Sequence, residues 1–118
     1  METEKAKRVE KPWGYELIYA VTDKYVGKIL FVKKGKRLSL QYHREKDETI
    51  YIYRGKIELQ VGHLDHRLED EELSEGDAIR LEPLVLHRMK ALEDTFILEV
   101  STPQLTDVVR LEDDYGRV

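Results

Sequence analysis

The chain has 118 residues, a formal charge of −4 and 37% charged residues. That is enough for one domain with a buried core and too short for a second catalytic domain. Its lysines and arginines are scattered among the acids, which leaves no basic field for nucleic acid, and the absence of cysteine excludes disulfides, zinc knuckles and thiol nucleophiles.

Residues 1–10, METEKAKRVE, are charged and have no apolar stretch of the kind a signal peptide needs, so they read as a frayed tail ahead of a domain over 11–118. No apolar run approaches the roughly 18 residues of a membrane span. These features lead us to expect an unprocessed cytoplasmic chain. After KPWGYELIYA come short stretches rich in Val, Ile, Leu, Tyr and Phe: Tyr25–Val32, Leu38–His43, Thr49–Tyr53, Lys56–Val61, Ala78–Leu81, Val85–Ala91 and Thr95–Ser101. Each is bounded by Gly, Pro, Asp or a charged cluster, and YRGK and VGHLDHR read as turns. None carries a sustained period of 3.6. The tail TPQLTDVVRLEDDYGRV is expected to hold at most a short helical turn after Pro103. Many short strands at this spacing predict an all-β antiparallel sandwich or barrel.

The stretch GKRLSLQYHREKDETIYIYRG holds the chemistry. On a strand, Ser39, Gln41 and His43 share one face, while Leu38, Leu40 and Tyr42 share the other. Glu48 has the parity of Ile50 and Ile52, so it points into the barrel if they do. A turn through REKD then brings Glu48 opposite Gln41 and His43. An amide oxygen, an imidazole and a carboxylate converging in an apolar interior make a cation site. His87, in the apolar run LEPLVLHRMKA, is the best fourth ligand, because an unpaired imidazole is costly there. Singly, His87 reads better as a satisfied core histidine and Gln41 as a surface residue. It is the combination with the glycine spacing that points to a site.

That spacing resembles a known family. Gly35, five residues, Gln41, one, His43, four, Glu48, six and Gly55 is similar to the first cupin motif, G-x5-H-x-H-x3–4-E-x6-G, with Gln for the first His. Gly76, five residues, Glu82 and then His87 resembles the second, G-x5-P-x-G-x2-H, with Glu82 and Leu84 at its Pro and Gly. The resemblance implies a single-domain jelly-roll barrel, an antiparallel double-stranded β-helix with a short C-terminal segment and a metal inside. KPWGYE, Lys28, VKKGKRLSLQYH, GDAIRLEPLVLHR, LEVST and DVVRLEDDYGR resemble more narrowly the C-terminal isomerase domain of type II mannose-6-phosphate isomerases, from about Pro12 to Arg117. That resemblance implies Gln41, His43, Glu48 and His87 as ligands of one divalent ion: Zn, Mn, Fe, Co or Ni. Where those isomerases carry a motif like QxHHHRAEHW, this chain has QYHREKDETI. The changed residues Arg44, Glu45, Lys46, Thr49 and Ile50 are expected near the mouth of the site, leaving the ligand set intact.

A sugar-phosphate substrate needs a positive anchor for its dianion. Lys28, Arg37, Arg88, Arg110 and Arg117 are candidates. Arg88 follows His87 directly and should point away from the cavity, so Lys28 and Arg110 are preferred. The chemistry implied is metal-dependent aldose–ketose isomerisation, with catalytic roles for Glu48, Lys28 and Arg110. The base is Glu48 or a hydroxide held by the ion. A non-catalytic sugar-binding or accessory cupin is the alternative, and a metal-dependent oxygenase, which Gln41 disfavours, stands third. His63 and His66 are a weak metal signal in a charged turn, and Trp13 and the tyrosines suit core or subunit contacts. The expected partners are a small sugar phosphate and a second copy of the chain, in a homodimer through the strands around Trp13 to Ala20, with no nucleic acid and no membrane.

Overall fold

The computed structural model describes all 118 residues and contains eleven strands and no helix. They are β1 (Lys7–Lys11), β2 (Gly14–Val21), β3 (Val26–Val32), β4 (Leu40–Tyr42), β5 (Glu48–Arg54), β6 (Lys56–His63), β7 (Glu69–Ser74), β8 (Ala78–Leu81), β9 (Val85–Ala91), β10 (Thr95–Ser101) and β11 (Val109–Glu112). One sheet has the order β1-β2-β3-β10-β5-β8 and the other β11-β4-β9-β6-β7, with every pairing antiparallel. This is the expected jelly roll.

Period-2 burial explains why these residues form these strands. Ile50 and Ile52 on β5, Ile97 on β10, Leu30 and Val32 on β3, and Ile57 and Leu59 on β6 face one another between the sheets and are fully or almost fully buried. Each contributes about 1.5–3 kcal/mol by leaving water. The β5–β6 turn closes at Gly55, whose φ is +99°. A Cβ there would stand 2.4 Å from Thr95 Oγ1, so only glycine fits.

Several boundaries differ from the sequence reading. Residues 7–10 of the segment expected to fray belong to the edge strand β1, which pairs with β2, while residues 1–6 have no regular structure. The charged run EDEELS forms β7, and the stretch after Pro103 leads into β11 rather than a helical turn. Leu38 does not turn away from Ser39: both are buried and both line the cavity, because regular pairing in β4 begins only at Leu40.

Leu84 is the only non-glycine residue with positive φ, at 69°. It occupies the turn into β9, where the second cupin motif has glycine, and its N–H donates to the His43 carbonyl at 2.7 Å. The left-handed conformation costs a leucine about 1–2 kcal/mol. Leu84 is exposed, so little packing offsets that strain. Leu84→Gly should therefore raise the unfolding midpoint, offset in part by glycine's greater unfolded-state freedom. A lower midpoint in a thermal scan would show that the side chain matters to the fold.

Candidate metal centre

Between the sheets lies a cavity of about 140 Å³, lined by residues of β1 to β5, β9 to β11 and the connecting segments. β5 carries Glu48 into it by the alternation that buries Ile50 and Ile52, and β9 carries His87 by the alternation that buries Met89 and Ala91. His43 follows β4. Its Nε2 lies 3.6 Å from Glu48 Oε1, and His87 Nε2 lies 3.4 Å from the same oxygen. The two imidazole centroids are 5.5 Å apart. Gln41 sits directly opposite His87 in the β4–β9 pairing and lines the same cavity. Of the four residues expected from the motifs, His43, Glu48 and His87 cluster, and Gln41 lines the cavity beside them.

The local hydrogen bonds aim these groups. A carbonyl can only accept, so His87 Nδ1 donates to the Val85 carbonyl at 3.0 Å and His43 Nδ1 donates to the Asp107 carbonyl. Each bond turns Nε2 toward Glu48, and in a neutral imidazole that is the nitrogen whose lone pair is free for a metal. His87 Nε2 is buried with no hydrogen-bond partner. A buried imidazole lone pair left open beside a carboxylate is what a metal ion satisfies. Two donors bonded to one ion at about 2.1 Å and roughly tetrahedral angles stand about 3.4 Å apart, close to the spacings here. His43, Glu48 and His87, whose ligand atoms all lie within 4.8 Å of one another, thus form a cluster able to hold a metal ion.

The cavity contains more charge than the sequence suggested. Lys46, expected near the mouth, is buried, with Nζ 3.0 Å from Glu48 Oε2 and 3.3 Å from Glu99 Oε2. Burial pushes the Lys46 ammonium down, but Glu99 and Glu48 outweigh it and raise its pKa. Burial also works to raise Glu48. Contacts with His43 and His87 and the charge of Lys46 reverse that and hold it well below the usual carboxylate range. Glu99 is pushed up by burial and by the nearby charge of Glu48. Lys28 contacts Glu16 at 3.6 Å, and Lys11 reaches the same carboxylate oxygen at 4.0 Å. Lys11, Glu16, Lys28 and Glu99, on four adjacent strands, all line the cavity.

Of the remaining sequence candidates, Lys28, Arg110 and Arg117 line the cavity and Arg37 does not. Arg88 points to the outer face of its sheet, as adjacency to His87 requires, so it is withdrawn as a residue binding substrate in this cavity. Of the altered motif residues, Arg44 and Glu45 are exposed while Ile50 is core, not mouth. His63 and His66 lie in the exposed turn at the end of β6. Trp13 is buried in the core and touches the cavity. The sequence reading missed Lys46, Glu99 and Glu16 as site residues. Lys46 precedes β5 in an irregular loop, where strand parity gives no signal, whereas the parity of Thr95, Ile97 and Ser101 would have shown Glu99.

The chain has solved structural relatives. KdgF from Halomonas sp. aligns with a TM-score of 0.72 at 22% identity, covering 86% of this chain and 89% of that one. The capsular polysaccharide assembling protein CapF from Staphylococcus aureus aligns at 0.77 and 18% identity, covering 93% of this chain and 33% of that one. A variant of the oxalate decarboxylase OxdC from Bacillus subtilis aligns at 0.77 and 15% identity, covering 94% and 33%. At these identities the likeness is one of fold, and this chain spans about a third of the latter two proteins. No curated protein matches the sequence. The Cupin domain family model matches residues 28–102, from the lysine on β3 through the end of β10. With both the sequence match and the barrel in agreement, the chain belongs to the cupin domain family.

Proposed function

We propose that the chain is a metal-dependent isomerase acting on a sugar phosphate of the mannose 6-phosphate class that its motifs resemble. The observation that carries this reading is the charge of the cavity around the His43–Glu48–His87 cluster. Five basic residues, Lys11, Lys28, Lys46, Arg110 and Arg117, line it against three acids, Glu16, Glu48 and Glu99. Adding a divalent ion increases the positive excess, which suits an anionic substrate. Arg110 also keeps a buried Nε without a hydrogen-bond partner. Bidentate guanidinium contacts match phosphoryl oxygens.

A bound divalent ion would act as a Lewis acid on the C1 and C2 oxygens, with Gln41 completing the ligand set. Glu48 is suited to be a ligand rather than a base, since its oxygens face the two histidines and Lys46. Glu16 is engaged by Lys28 and Lys11. That leaves Glu99, beside Lys46, as the cavity carboxylate that takes the proton from C2 and delivers one to C1. A 140 Å³ space holds the reacting end of a hexose, with the phosphate toward Arg110. No helix is long and apolar enough to cross a membrane, and a sugar-phosphate substrate is met in the cytoplasm.

Arg110→Ala should leave metal content unchanged and lower kcat/KM for phosphorylated sugars by about 10- to 100-fold, in line with loss of a charge-assisted contact. Equal losses for phosphorylated and free sugars would make Arg110 structural. One observation favours a non-catalytic sugar-binding cupin instead: the Lys46 ammonium competes with an ion for Glu48. Sugar-phosphate binding without turnover would decide for that reading, and substrate-dependent oxygen uptake would decide for an oxygenase.

We also propose a homodimer through the outer face of the first sheet. Leu17, Ile29, Leu98 and Tyr51 lie in register across β2, β3, β10 and β5. Beside them Tyr15, Phe31 and Phe96 stack at 5.2 and 5.0 Å. Tyr19, Tyr51, Tyr53 and Val100 are exposed. A face apolar at its centre and bordered by Arg8, Glu10 and Arg80 on the flanking strands suits a self-complementary contact with a second copy. The expected contact shifts from Trp13, which is buried, to the side chains facing outward from β2 onward. Light scattering should give twice the 13.9 kDa chain mass at micromolar concentration, and Leu98→Glu should halve it. A wild-type mass of one chain would refute the dimer.

A further inference from the structure

β9 turns His87 into the cavity and Arg88 to the opposite face of the sheet, where Arg88 is almost as buried as the ligand. A buried guanidinium needs partners. Arg88 Nε donates to the Leu38 carbonyl at 2.9 Å, Nη1 lies 3.3 Å from Glu112, and Nη2 lies 3.6 Å from Asp114. Arg37 holds the same Asp114 with two bonds, at 2.6 and 2.8 Å. Tyr115 donates its hydroxyl to the Arg37 carbonyl at 3.0 Å and packs against the core. Two arginines from the barrel thus grip residues 112–115 of the C-terminal segment.

The other face of that segment lines the site. Leu105, Val108, Arg110 and Arg117 form the cavity wall, and Arg117 is fixed by two bonds to Asp113, at 2.8 and 3.0 Å. β11 itself is a four-residue edge strand whose pairing with β4 is irregular between Arg110 and Glu112. Backbone pairing this short does not fix a wall firmly, so the side-chain clamp has work that the ladder cannot do.

We propose that Arg88 and Arg37 are positioning residues. They clamp Glu112 and Asp114 so that the C-terminal segment closes the cavity and presents Arg110 and Arg117 to the anionic end of the substrate. This inference rests on the anionic-substrate reading. The strand that supplies a metal ligand on one face thereby sets the anion site from the other.

The test uses the metal-loaded full chain with the double variant Glu112→Gln/Asp114→Asn and, separately, the exposed Arg37→Gln. None of these residues lines the cavity. Amide exchange across residues 105–117 should rise about tenfold or more. The calorimetric Kd for inorganic phosphate should weaken about tenfold, with metal content unchanged. Adding Arg110→Ala to the double variant should weaken phosphate little further, since both changes act through one contact. Unchanged phosphate affinity despite faster exchange, unchanged exchange, or fully additive losses would each overturn the positioning role. Failure of the anionic reading is distinguishable, because the wild-type chain itself would then bind no phosphate, and the positioning role would fall with it.

Discussion

His87→Ala will lose the metal. The imidazole is 1% exposed, its Nδ1 is fixed by the Val85 carbonyl and its open Nε2 lies 3.4 Å from Glu48. Alanine removes a ligand and leaves a void that none of the lining side chains can fill with a donor. Changes to residues that merely support metal ligands lower affinity about 10- to 100-fold, so losing the ligand itself should exceed ~100-fold. After dialysis, elemental analysis should find the wild type loaded and the variant nearly empty. A second readout follows from linkage. An ion that binds only the folded chain adds about 2.7 kcal/mol of stability at 100 times its Kd, so metal should raise the wild-type melting temperature and leave the variant unmoved. Equal loading of both proteins would remove His87 from the site.

Lys46→Met will destabilise the fold, and a second substitution will repair it. The Lys46 side chain is 7% exposed and its ammonium balances Glu48 and Glu99. Removing one partner from a buried ion pair costs about 3–5 kcal/mol, because the charge left behind has no water. At about 4 °C per kcal/mol for a domain of this size, the melting temperature should fall by roughly 12–20 °C. Burial and the charge of Glu48 already push the Glu99 pKa up. In the variant, the deficit should therefore narrow as pH falls through the carboxylate range, where protonated Glu99 needs no partner. Lys46→Met/Glu99→Gln removes the stranded charge and should recover most of the loss. A single variant as stable as wild type, or a double variant no better than the single, would show that this ion pair contributes little.

The fold and the His43–Glu48–His87 cluster were legible because both depend on side-chain parity. Ile50 and Ile52 announce the inward face of β5, and Glu48 inherits it. His87 inherits the face of Met89 and Ala91, and the same rule sent Arg88 outward. Apart from Glu99, what escaped the sequence lies where parity gives little signal. β1 and β7 are edge strands, and most of their side chains are exposed. KRVEK and EDEELS therefore show no apolar alternation, and their strand character comes mainly from backbone pairing, with Leu73 the one residue of β7 in the core. β11 is half-exposed and follows Pro103, so its order depends on Arg37 and Arg88, which are distant in sequence, and on Asp107, which ties its approach to residues 44–46. Asp107 accepts the backbone N–H groups of Arg44, Glu45 and Lys46, and those bonds hold its carboxyl below the usual range. That cap shapes the loop carrying Lys46 into the cavity, and no local pattern around residue 46 contains it.

The most direct measurement follows the reaction at carbon 2. Metal-loaded protein is incubated with mannose 6-phosphate in D₂O and the mixture is followed by NMR. The account predicts a metal-dependent ketose product with deuterium entering at C1, where the enediol is reprotonated, both abolished by chelation and by His87→Ala. Loaded protein that binds the sugar phosphate but yields neither ketose nor deuterium exchange would contradict isomerisation and leave a binding cupin.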